Sequence, residues 1–99
     1  MVTHIVGWTL REDLSEEEKT DAKIRIKDEL EALVGVVPGL ISAQVYTELM
    51  PSSTFDLALV STLDDEEALK GYQDHSAHLA AASFVRSVNC GRQVIDFIN

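Results

Sequence analysis

Ninety-nine residues give room for one domain, spanning 1–99, and for no second. A hydrophobic fraction of 45% and a charged fraction of 25% are globular values and exclude a disordered chain. Seventeen acidic against eight basic residues leave a net charge of −9, which repels phosphate backbones and anionic lipid heads and argues against nucleic acid or membrane partners.

Val2 to Leu10 alternates as a strand, with Val2, His4, Val6, Trp8 and Leu10 on one face and Thr3, Ile5, Gly7 and Thr9 on the other. Apolar groups on both faces predict a central strand covered on both sides. The start Met1-Val2-Thr3-His4 runs straight into this strand with no basic, apolar leader, and no run of about 18 apolar residues follows. A reducing, cytoplasmic setting is the expectation. Ser15 and Glu18 have the spacing of a capping box, and Glu16, Glu17 and Glu18 suit the positive end of a helix dipole. Ala22, Ile26, Leu30 and Leu33 then repeat at helical spacing, and Gly35, Pro38 and Gly39 end the helix.

A second strand is predicted over 40–49, with Ile41, Ala43, Val45, Thr47 and Leu49 sharing a face. Met50-Pro51-Ser52-Ser53 is a turn, and Phe55 to Leu63 a third strand. Asp64 is placed to cap the next helix, with Glu67 three residues on and Ala68, Leu69 and Tyr72 inside it. The polar stretch Gln73 to Ser76 interrupts it before a short helix through Leu79, Ala80 and Phe84. The last strand is predicted over 91–98, with Val94, Asp96 and Ile98 alternating against Ile95 and Phe97. Cys90, the only cysteine, excludes an intrachain disulfide and reads as buried packing. No repeat or linker interrupts the chain.

The order is βαββαβ, an α+β, ferredoxin-like arrangement with one four-stranded antiparallel sheet and helices on one face. The other face keeps apolar residues and needs a cover. A second copy of the chain is the simplest, since an isologous dimer needs only a self-complementary patch.

Five segments in order carry a family resemblance: His4-Ile5-Val6-Gly7-Trp8, Val37-Pro38-Gly39-Leu40, Phe55 to Ser61, Tyr72-Gln73-Asp74-His75-Ser76-Ala77-His78, and Val94-Ile95-Asp96-Phe97. Together they span essentially the whole chain and resemble the stress-responsive A/B barrel (Dabb) family. The resemblance implies ferredoxin-like units pairing sheet to sheet into a dimeric α/β barrel. Most members of that family have no assigned activity. One branch, the plant olivetolic acid cyclase type, closes a linear polyketide by aldol condensation. Its catalytic Tyr, His and Asp match Tyr72, His78 and Asp96, and its first-strand pocket His matches His4. The chain departs from the pattern at Ser76, where the family has Pro, and at Leu57, where the cyclase has a further pocket His.

In chemical terms, a carboxylate bonded to one imidazole nitrogen fixes the tautomer and leaves the other nitrogen as a base near neutral pH. His78 with Asp96 is the predicted pair, at hydrogen-bond distance, and Tyr72 the donor to a developing oxyanion. The alternative is that these groups only satisfy one another in the core. His4, Trp8, His75 and Phe84 are the expected binding residues, Trp8 and Phe84 as core or pocket wall. His75 could equally begin the short second helix and point to solvent. His75 and His78 stand three apart, but a metal site needs three or four ligands, so no metal or other cofactor is expected. Three functions follow: a module binding a small apolar or carbonyl ligand, a cofactor-free enzyme acting on a carbonyl compound, and a structural or stress-related dimer with a filled interior.

Overall fold

In the computed structural model, which describes Met1–Asn99, seven elements follow in order. They are β1 (Val2–Leu10), α1 (Glu16–Glu31), β2 (Leu40–Tyr46), β3 (Leu57–Leu63), α2 (Glu66–Asp74), α3 (Ser76–Val88) and β4 (Asn89–Ile98). The strands form one antiparallel sheet in the order β2-β3-β1-β4. β1 is therefore interior, hydrogen-bonded on both sides, as its two apolar faces predict. No helix is long and apolar enough to cross a membrane.

The capping box at α1 is formed in both directions: Glu18 N donates to Ser15 Oγ at 3.1 Å, and Ser15 N donates to Glu18 Oε1 at 2.9 Å. Ala22, Ile26 and Leu30 bury its inner stripe. That stripe meets Val6 and Leu10 of β1, Val45 of β2 and Leu57, Leu59 and Leu63 of β3, all nearly inaccessible to solvent. Each such side chain contributes about 1.5–3 kcal/mol through burial. The free edge of β2 is partly closed from above, because Val45 N donates to Glu31 Oε2 at 2.8 Å. β4, at the other edge, has no helix over it, and nearly all its residues are exposed. The chain ends meet beside it: Asn99 N donates to Met1 O at 2.9 Å, and Thr3 Oγ1 to Asn99 Oδ1 at 3.1 Å.

Several predicted details differ. β2 ends at Tyr46 rather than Leu49, and an irregularity between Leu40 and Ser42 turns Ile41 outward while Leu40 joins Val45 in the core. Asp65, not Asp64, caps α2, accepting from Ala68 N at 2.8 Å. The polar interruption narrows to His75 alone, and β4 begins two residues early, at Asn89. Cys90 is exposed rather than buried, because alternation marks a face but not whether a helix covers it.

Candidate functional site

The break between α2 and α3 sets the geometry of the site. Tyr72 and His78, six residues apart on an unbroken helix, would point roughly 120° away from each other. His75 interrupts the helix with extended backbone (φ −67°, ψ 136°), and its own Nδ1 accepts from Ala77 N at 3.1 Å to cap α3. The second helix restarts in a new direction, and the Tyr72 and His78 rings meet with centroids 4.4 Å apart. The His4 ring stands 6.0 Å from that of Tyr72 on the other side.

His4 and Asp96 are paired in the β1–β4 register, so both side chains leave the same face of the sheet. His4 Nδ1 is hydrogen-bonded to Asp96 Oδ1. A carboxylate accepts only, so Nδ1 carries the proton and Nε2 keeps its lone pair. His78 Nδ1 lies 3.3 Å from Gln73 O, which by the same argument also leaves Nε2 as the basic nitrogen. Burial lowers the pKa of His78, and nearby His4, Arg92 and Arg86 add to that effect against the opposing Gln73 bond. His78 is thus neutral at neutral pH. Tyr72 is fully buried, which pushes its hydroxyl up to about 12 and keeps it protonated. That hydroxyl has no hydrogen-bond partner, an unspent donor beside two imidazoles.

The two histidines face a cavity of about 300 Å³ between sheet and helices. Val6, Trp8, Leu30, Leu59 and Val85 form its apolar wall, and Asn89, Arg86 and Arg92 its polar side. Of the residues singled out from sequence, His4, Trp8 and His78 line this space, Tyr72 stands behind both imidazoles, and Asp96 reaches it only through His4. The predicted His78–Asp96 hydrogen bond is not formed. The antiparallel register places Asp96 opposite His4, and His78 turns to a carbonyl of its own chain segment. His75 and Phe84 are not brought to the cavity: His75 caps α3, and Phe84 lies beneath the Arg25 guanidinium, 3.8 Å from its ring centroid. No three His, Cys, Asp or Glu side chains stand together as metal ligands. The sequence reading passed over Arg86, Asn89 and Arg92. Arg92 was accessible to it, since the alternation Arg92, Val94, Asp96 puts it on the face of Asp96.

The family model of the stress responsive A/B barrel domain matches residues 2–99. No curated protein matches the chain. Among solved structures, a dimeric protein of unknown function with a ferredoxin-like fold from Bacteroides fragilis superposes with a TM-score of 0.90 at 30% identity, covering 97% of this chain and 93% of that one. A dimeric ferredoxin-like protein from Thermobifida fusca gives 0.83 at 23% identity, covering 99% and 90%. A hydroxynitrile lyase from Passiflora edulis gives 0.78 at 21% identity, covering 99% and 93%. The last two show a shared fold.

Proposed function

The chain belongs to the stress-responsive A/B barrel family, and on that footing we propose that it is a single-domain homodimer that binds a small carbonyl compound beside His4 and His78 and moves a proton on it without a cofactor. The observation that carries this reading is the apolar cavity faced by His4 and His78, His4 oriented by Asp96, with the unspent Tyr72 hydroxyl buried behind the two imidazoles. An interior filled by its own side chains would leave both that hydroxyl and the cavity without a reason.

In this reading His4 is the base. Its Nε2 takes a proton from the carbon next to the substrate carbonyl, and the C–H electron pair becomes a C=C bond as the carbonyl oxygen gains charge. Asp96 holds the tautomer and offsets the charge of the imidazolium that forms. Burial, with His4, Arg92 and Arg86 nearby, opposes protonation of His78, so it positions the substrate through Nε2. Tyr72 does not line the cavity and backs the two imidazoles from within the core. Returning the proton elsewhere completes an isomerase cycle, expelling a group from the carbon beside the enolate completes a lyase cycle, and attack of the enolate carbon on a second carbonyl of the same molecule, whose oxygen takes the proton back from the imidazolium, completes a cyclase cycle. The dimer is supported by the exposed apolar residues Ile95 and Phe97 on the outward face of β4 and by the dimeric relatives. A reducing, cytoplasmic setting, with neither nucleic acid nor membrane as partner, belongs to the same proposal.

The test is proton exchange. Phenylacetone in D2O, followed by proton NMR, is expected to lose its acidic C–H signal faster with the protein than in buffer. His4→Gln and Asp96→Asn should each reduce that rate at least about 100-fold. Exchange no faster than in buffer overturns the proton-transfer part of the reading.

A further inference from the structure

The cavity departs from the charge of the molecule around it. The chain carries 17 acidic residues, yet none of the eleven residues lining this space is acidic, and two are arginines. The chain's other arginines have carboxylate partners, Arg11 with Asp13 and Arg25 with Glu29. Arg86 and Arg92 have no carboxylate within 4.0 Å. Arg86 sits in the last turn of α3, where a cation suits the helix dipole. Arg92 has no such reason. It lies on β4 directly opposite Trp8, on the helix side of the sheet, with its charge at the polar side of an apolar space.

We propose that Arg86 and Arg92 bind the carboxylate of the ligand, so that the substrate is a small carboxylic acid whose apolar body lies against Trp8, Val6 and Leu59. This rests on the cavity reading above and adds the class of compound to it. Guanidinium groups hold carboxylates through charge-assisted hydrogen bonds, and two free ones on a space without acidic residues form a locally positive mouth on an acidic protein. Such a mouth draws in a small anion that the rest of the surface repels. About 300 Å³ holds on the order of ten non-hydrogen atoms, at the ~30 Å³ that each water takes in the liquid. With the carboxylate between the arginines, the body of the acid extends toward His4.

Trp8 is the only tryptophan and lines the cavity, so its fluorescence reports binding without any requirement for turnover. Three probes of similar shape separate the terms: phenylacetate, phenylacetamide and phenyl phosphate. Phenylacetate is expected to bind at least ten-fold more tightly than phenylacetamide and to weaken with added salt, while the amide does not. The double variant Arg86→Gln/Arg92→Gln should lose that ten-fold preference, so that acid and amide bind alike. Equal binding of acid and amide by the wild type, or a preference that survives in the variant, overturns the carboxylate assignment and leaves the exchange reading intact. Tighter binding of phenyl phosphate overturns it in favour of a phosphate ligand. Saturable binding of none of the three overturns the carboxylate assignment and the cavity reading together, whereas failure of phenylacetone exchange alone removes only the catalytic part.

Discussion

Tyr72 is the residue at which stability and function separate most sharply. A buried hydroxyl without a partner has lost its hydration and gained nothing in return, so Tyr72→Phe is expected to be neutral or to stabilise by up to about 1 kcal/mol in urea denaturation. The same change should leave phenylacetone exchange nearly unchanged, since the hydroxyl does not reach the cavity. High pH offers an independent check. The hydroxyl ionises near 10.0 in the unfolded chain and only at about 12 in the fold, so its neutral form contributes stability that is complete below pH 10 and lost as pH rises to 12. The wild type should lose about 2–3 kcal/mol more than Tyr72→Phe across that window. His78 works in the opposite range. Burial lowers its folded pKa below the ordinary 6.5, so the unfolded chain takes up the proton first and stability falls on acidification below that value. Thermal melts of His78→Gln should show a shallower loss there. The sequence made Tyr72, His78 and Asp96 visible as a group but mispaired them. Period-two alternation tells which face a strand residue occupies, whereas the partner across the ladder depends on a register set by distant turns. That register gave Asp96 to His4.

At the scale of elements, two glycines show how a connection is fixed. Both Gly35 (φ +88°) and Gly39 (φ +82°) adopt left-handed backbone. A Cβ on Gly35 would meet nothing within 4 Å, while one on Gly39 would come 2.6 Å from the Ala68 Cβ of α2. Gly35→Ala should therefore cost only the backbone term, about 1–2 kcal/mol. Gly39→Ala should cost more than that, because α2 must also shift, and the urea midpoints of the two variants measure the difference. Gly35 was expected to end α1, but the helix stops earlier, at Glu31 with Ala32 as its cap, and Gly35 turns the chain in the connection that follows. The contact between Gly39 and α2 was not legible, since it joins segments far apart in the chain. The elements themselves were legible because caps and periodicity are local. The outward turn of Ile41 and the exposure of Cys90 were not, because they follow from a bulge and from a strand left uncovered at the sheet edge.

The whole molecule retains an exposed apolar strand. Ile95 is 58% and Phe97 43% exposed, and both point away from the face of Asp96. Pairing of two sheets would cover them. Sedimentation equilibrium at micromolar concentration should find a dimer for the wild type and a monomer for Ile95→Lys/Phe97→Glu, with phenylacetate binding checked in parallel. A wild-type monomer would remove the barrel from the account.

The meeting of the chain ends has a further consequence, in the order of assembly. β2 and β3 adjoin in sequence and β1 also pairs with β3, whereas the pairing of β1 with β4 joins the most distant strands of the sheet, and the entropy of closing a loop rises with its length. His4 belongs to the first strand and Asp96 to the last. On the ribosome, helices and hairpin can therefore exist before the site does, because His4 has no carboxylate until Asp96, 92 residues later, has emerged.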